Sequence, residues 1–141
     1  MALGKQIGAF SLQPTTHTFG PGAGAALMYQ ANLAGTVSGE RGEGTVALTH
    51  YVEAEPGAKS GTWNQYGTWN QYGMATMKDG AILGFRAQGI WEWESGSGKG
   101  CYRGTGQLSD GTTYATEFEG EWATQTWKGR IYEWSNCQKI T

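Results

Sequence analysis

The sequence predicts an all-β protein, a single eight-stranded antiparallel up-and-down barrel spanning residues 1–141, and three observations carry that prediction. Glycine supplies 24 of the 141 residues, beside seven tryptophans, seven tyrosines and only three prolines. Aromatics favour the pleated surface and glycines favour turns, bulges and sharp bends, so the mixture suits strands joined tightly. Eight segments alternate between apolar and polar residues, each bounded by a turn signal. No window of about 11 residues has a helical stripe. Closing eight consecutive strands removes both exposed edges, and a barrel of that size is either filled by side chains or holds one small ligand.

The strands are expected at about 5–12, 26–38, 43–54, 60–73, 81–94, 99–108, 112–122 and 126–135. The connections SGERGEG, EPGAK, MKDGA, SGSGK, SDGT and ATQT are all short. Asp79-Gly80 and Asp110-Gly111 are the dipeptide that type I′ hairpin turns favour. The exception is PTTHTFGPGAGA, residues 14–25, which reads as a loop crossing one end of the sheet and leaving His17 towards solvent or, where the loop covers the barrel mouth, over a ligand.

Period-two alternation sorts the strands into faces. Leu27, Tyr29, Ala31, Leu33 and Val37 group together in the second strand, and Val46, Leu48, His50 and Val52 in the third. Leu83, Phe85, Ala87, Trp91 and Trp93 share a face of the fifth, and Tyr114, Thr116, Phe118 and Trp122 a face of the seventh. These sets are expected inside. In the eighth strand, the charges of Lys128 and Arg130 send that face out with Tyr132 and Trp134, and bring Trp127, Ile131 and Glu133 in.

Lys and Arg total 10 against 12 Asp and Glu, a net charge of -2, which offers no footprint for nucleic acid or an anionic membrane. No apolar run approaches the ~20 residues of a spanning helix, and MALGKQIGAFSLQ lacks a signal peptide's apolar core, so a cytoplasmic location is expected. Cys101 and Cys137 are too few for a disulfide framework or, with His17 and His50, a structural zinc site. Whether the two cysteines pair stays open. Neither a metal nor a cofactor is expected: phosphate-loop, Rossmann, zinc and nucleophile-elbow motifs are absent from the sequence.

Three side chains could carry chemistry. His50 places an imidazole on an apolar face, where it could act as general acid or base or be a satisfied core histidine. Tyr29 could polarise a carbonyl or epoxide. Glu133 is either an inward carboxylate with a raised pKa or a rim charge. Ligand-contacting aromatics are expected at Trp63, Tyr66, Trp69, Phe85, Trp91 and Phe118.

Residues 61–73, GTWNQYGTWNQYG, write one hexapeptide twice. Six is even, so Trp63, Gln65, Trp69 and Gln71 keep one face and Tyr66 and Tyr72 the other. Thirteen extended residues at ~3.3 Å each exceed a small barrel's height, so the doublet is expected to overhang the rim or bend at Tyr66-Gly67. The overhang would add aromatic and amide groups to a ligand site, or be a tolerated in-phase duplication.

The hairpin GTVSGERGEGTVAL, with GKGCYRGTGQL and FEGEW, resembles the small bacterial barrels related to allene oxide cyclase, over most of residues 26–135. The resemblance implies an apolar cavity in which hydrophobic substrates are cyclised or isomerised without a cofactor. No site is carried over from that family, and His50, Tyr29 and Glu133 rest on the face pattern alone. A second likeness, to the G-x-W-x-N-x-x-G strand of avidins, involves Gly61, Trp63, Asn64 and Gly67, but Asn64 follows Trp63 directly and so faces the other way. The leading expectation is a cofactor-free isomerase or cyclase of a hydrophobic small molecule. The alternatives are a non-catalytic carrier or sensor, avidin-like or lipocalin-like in its binding, and a filled structural barrel. Outward Tyr51, Tyr132 and Trp134 point to a homo-oligomer.

Overall fold

Among the described residues, alternation becomes strand wherever the sequence places it, with two differences in length. The structure, a computed structural model, describes residues 4–21, 27–54, 66–94 and 98–134. Its strands are β1 (Gln6–Pro21), β2 (Leu27–Gly39), β3 (Gly42–Ala54), β4 (Tyr66–Met77), β5 (Ile82–Glu94), β6 (Lys99–Leu108), β7 (Thr113–Glu121) and β8 (Thr126–Glu133). Each pairs antiparallel with the next, and β8 pairs with β1, closing the barrel. Closure joins Gln6–Leu12 of β1 to β8 and removes the sheet edge there, while β1 beyond Leu12 pairs with β2.

The first difference is β1, which continues to Pro21 where a loop was expected from residue 14. Pro14 has no N–H to give the ladder, and the register with β2 slips between Pro14, opposite Leu33, and Thr16, opposite Asn32. Thr15 is the extra residue, and its hydroxyl donates to the Asn32 carbonyl at 3.2 Å. The bulge reverses the alternation. Leu12 faces inward before it, and after it His17 and Phe19 stand opposite the inward residues Ala31 and Tyr29. His17 therefore joins the interior instead of facing solvent; its Nδ1 is buried.

The second difference is β4, which is described from Tyr66 and runs to Met77, beyond the expected end at residue 73. The second hexapeptide, residues 67–72, is wall, hydrogen-bonded on both sides without a register break, so there is no bulge at Tyr66-Gly67. Residues 61–65 of the first copy, Trp63 and Gln65 among them, lie outside the described residues, as does Cys137.

The turns differ in type from the expectation. A type I′ turn needs positive φ at both central residues, yet Asp79 and Asp110 are not in that region while Gly80 (φ 92°) and Gly111 (φ 91°) are. In each turn the aspartate carboxylate instead accepts from the N–H two residues on, Ala81 or Thr112, at 2.9 Å. These are three-residue hairpin loops with glycine at the left-handed position.

The interior divides along the barrel axis. Towards the β5–β6 and β7–β8 turns it is packed with rings: His17, Tyr29, His50, Trp69, Trp91, Tyr102, Phe118, Trp122 and Trp127. Towards the opposite end the inward side chains are Phe10, Leu12, Val37, Val46, Leu48, Ala75, Met77, Leu83, Phe85 and Ile131. Glycine lets the rings in. Gly89 and Gly104 face each other across β5 and β6, and a Cβ on Gly104 would stand 2.0 Å from the Gln88 carbonyl and 2.6 Å from the Trp69 ring.

Candidate functional site

On β3, β4 and β7 the ring-packed half stops at a definite residue, and beyond it lies an apolar cup of about 500 Å³. On β4 the lining runs Met77, Ala75, Gln71, and the next inward side chain, Trp69, is already packed. On β7 it runs Tyr114, Thr116 and stops before Phe118; on β3 it runs Val46, Leu48 and stops before His50. Leu12, Leu48, Gln71 and Thr116 therefore form the floor. Phe10, Val37, Leu83, Phe85, Leu108 and Ile131 form the sides, and Glu40, Arg41, Glu133 and Trp134 stand at the mouth. Trp134 follows the end of β8 and borders the mouth, where an outward position was expected.

Two turns bracket that mouth. Gly39–Gly42 belongs to the β2–β3 hairpin and residues 111–113 to the β6–β7 hairpin, on opposite sides of the barrel. They are tied together, Arg41 donating to Asp110 at 2.8 Å and to the Thr112 hydroxyl at 3.0 Å. The Thr112 backbone N–H and hydroxyl, with Arg41, hold the Asp110 carboxyl down to about 2.

Three polar side chains stand on the floor and lower wall. Gln71 is buried and has His50, opposite it on β3, as a polar neighbour. Tyr114 is also buried, and burial alone pushes its phenol upward. A Cβ on Gly106 would be 2.2 Å from the Tyr114 Cζ and 2.4 Å from its hydroxyl oxygen, so the ring lies across β6 where glycine leaves room. Thr116 donates its hydroxyl to the Arg130 carbonyl at 3.0 Å.

His50 and Tyr29 come together, but in the ring-packed half. Their ring centroids are 6.2 Å apart, and neither borders the cup. His50 is fully buried with both ring nitrogens lacking a hydrogen-bond partner of good geometry. Burial pushes its pKa down to about 4, against a smaller upward pull from Gln71, so at neutral pH it is an uncharged, weak base. Burial also raises Tyr29 well above the usual phenol range, and its hydroxyl shares a 3.1 Å hydrogen bond with that of Tyr102.

The other expected residues are scattered. Trp69, Trp91 and Phe118 pack in the ring-filled half; Trp69 and Trp91 donate their indole N–H groups to backbone carbonyls, Ile90 for the first and Thr68 and Glu53 for the second. Phe85 lines the cup, and Glu133 is an exposed side chain at its mouth. Tyr66 is on the outer surface, 53% exposed. Gln71 and Tyr114 were missed as site residues, although each shares the inward face of its strand with residues that were singled out.

Fold and cavity together define a closed eight-stranded barrel with an internal apolar site. Comparison with protein-family models, with curated proteins and with solved structures finds no match for this chain.

Proposed function

We propose that this protein binds a small, mostly apolar molecule in the open half of its barrel, as a carrier or sensor. The observation that carries the reading is the cup itself: about 500 Å³, apolar-sided, with a few polar groups at its floor and mouth. That volume is in the ~300–1,000 Å³ range of small-molecule sites, and an apolar lining with sparse polar groups is their usual composition. The ring-packed half supports the cup from below.

A second reading, turnover by a cofactor-free isomerase or cyclase, accords with the resemblance to the allene oxide cyclase group. It is favoured by one contact: Gln71 touches both the cup and His50, and so is a polar route from a ligand to a buried base. The placement of His50 and Tyr29 beneath the floor, with pKa values moved away from neutrality, favours binding over catalysis.

The test is a neutral fluorescent reporter, N-phenyl-1-naphthylamine, titrated into the protein and into Ala75→Phe, which fills the cup. Saturable binding by the first and its loss in the second are expected, with the fold retained. Binding unaffected by Ala75→Phe would place the site elsewhere. A hydrophobic ligand recovered chemically changed after incubation would favour turnover.

A further inference from the structure

The polar groups at the cup define a class of ligand as well as a site, and that class rests on the binding function proposed for the cup. The row Gln71, Ala87, Gly106, Tyr114 runs round the wall, each residue opposite the next on β4, β5, β6 and β7. Its two central members are small. Tyr114 leans over Gly106, which carries its hydroxyl towards Ala87 and Gln71. The amide and the phenol thus share one row of the lower wall, both buried and both bordering the cavity.

Charge is confined to the mouth. Arg41 is engaged by Asp110 and Thr112, Glu40 by Lys5 at 2.9 Å, and Glu133 is exposed. No described Lys, Arg, Asp or Glu lines the cup below them. A carboxylate or ammonium carried to the floor would be desolvated without a counter-charge, which is strongly unfavourable. A carbonyl or hydroxyl there would instead receive the hydrogen bonds that buried polar groups require.

We propose that the ligand is uncharged and largely apolar and enters with one hydrogen-bonding oxygen leading, a carbonyl or hydroxyl that meets the Gln71 amide and the Tyr114 hydroxyl. Gln71 offers N–H donors and a carbonyl acceptor, and Tyr114 an O–H that donates or accepts, so ketones, amides, esters and alcohols are the chemical class. An amphiphile held by its charged head would have the opposite polarity, tail to the floor and head at Arg41.

The experiment is displacement of N-phenyl-1-naphthylamine by a matched set: decane, 2-decanone and decanoate. In the unaltered protein the ketone should bind roughly tenfold more tightly than the alkane, the advantage of about one well-made hydrogen bond, and the carboxylate most weakly. Gln71→Leu and Tyr114→Phe should each shrink the ketone's advantage over decane. Tyr114→Phe removes a single oxygen and serves where Gln71→Leu disturbs the floor. Equal affinity for ketone and alkane would overturn the proposal while leaving an apolar binding site. Tightest binding by decanoate, lost in Arg41→Ala, would overturn it in favour of a charged amphiphile. Failure of the reporter itself to bind would remove the binding function, and this inference with it.

Discussion

Arg41 and Asp110, 69 residues apart in sequence, meet at 2.8 Å across the mouth of the cup. Each sits in a hairpin turn on the opposite side of the barrel from the other, so the pair straps the opening. Both side chains are partly exposed, at 48% and 39%, and exposed ion pairs contribute little to stability. Its consequence is expected in exchange kinetics: Arg41→Ala should raise ligand association and dissociation rates together, by roughly twofold to fivefold, with affinity and melting temperature nearly unchanged. Stopped-flow mixing with a fluorescent ligand measures this. Added salt should act on the unaltered protein in the same direction and have less effect on the variant.

A second expectation concerns the glycine that admits Trp69. At Gly104 a Cβ would be 2.0 Å from a backbone carbonyl of β5, a contact that no side-chain rotation relieves. Gly104→Ala should therefore destabilise the fold by about 3 kcal/mol, measured by urea denaturation, as β5 and β6 separate and Trp69 loses its seat. Gly106→Ala meets only the end of the Tyr114 side chain, so a smaller stability loss is expected there, with the larger effect on ligand affinity.

Strand existence and inward faces were legible because they are local, and closure because eight consecutive antiparallel strands otherwise leave two exposed edges. Val46, Leu48, His50 and Val52 alternate within one strand, and so do Phe85, Ala87 and Trp91; period two is enough to sort them. The end of β1 was hidden because one extra residue at Thr15 reverses the phase, making His17 and Phe19 look out of step with Leu12. The position of the cup was hidden for a different reason. Alternation says which side chains point inward but not the height at which neighbouring strands bring them together. That height depends on register, which sets His50 opposite Gln71 and so places the imidazole just beneath the amide. The strap across the mouth depends on two distant turns, and no local pattern reports it.

Residues 67–72 are barrel wall, yet deleting them is expected to leave the fold intact. Removing either hexapeptide yields the same sequence, SGTWNQYGMAT, so the surviving copy supplies the identical tryptophan and glutamine in the same phase. The connection between Ala54 and Tyr66 shortens from 11 residues to five, 11 minus the six removed. Halving a loop changes closure entropy by about 0.6 kcal/mol, so the melting temperature should move little, and upward. Reporter affinity should also be unchanged. A variant that fails to fold would show that the longer connection itself contributes to the barrel.

The last expectation concerns pH and His50. Its pKa in the folded protein is about 4, against 6.5 when exposed, because burial among Tyr29, Trp69, Tyr102 and Phe118 disfavours the charged ring. Between those values the unfolded chain binds a proton that the folded chain does not, so protonation favours unfolding. Stability should be highest above pH 6.5 and fall as the pH drops towards 4, the histidine contributing about 3 kcal/mol of that loss. Carboxylates titrate over part of the same range, so the measurement compares urea denaturation of the unaltered protein and His50→Gln at pH 7, 5.5 and 4. The two free energies should converge as pH falls. Parallel losses would mean that the buried imidazole takes up a proton in the folded state, which requires an acceptor beside it and would revive His50 as a base facing the ligand through Gln71.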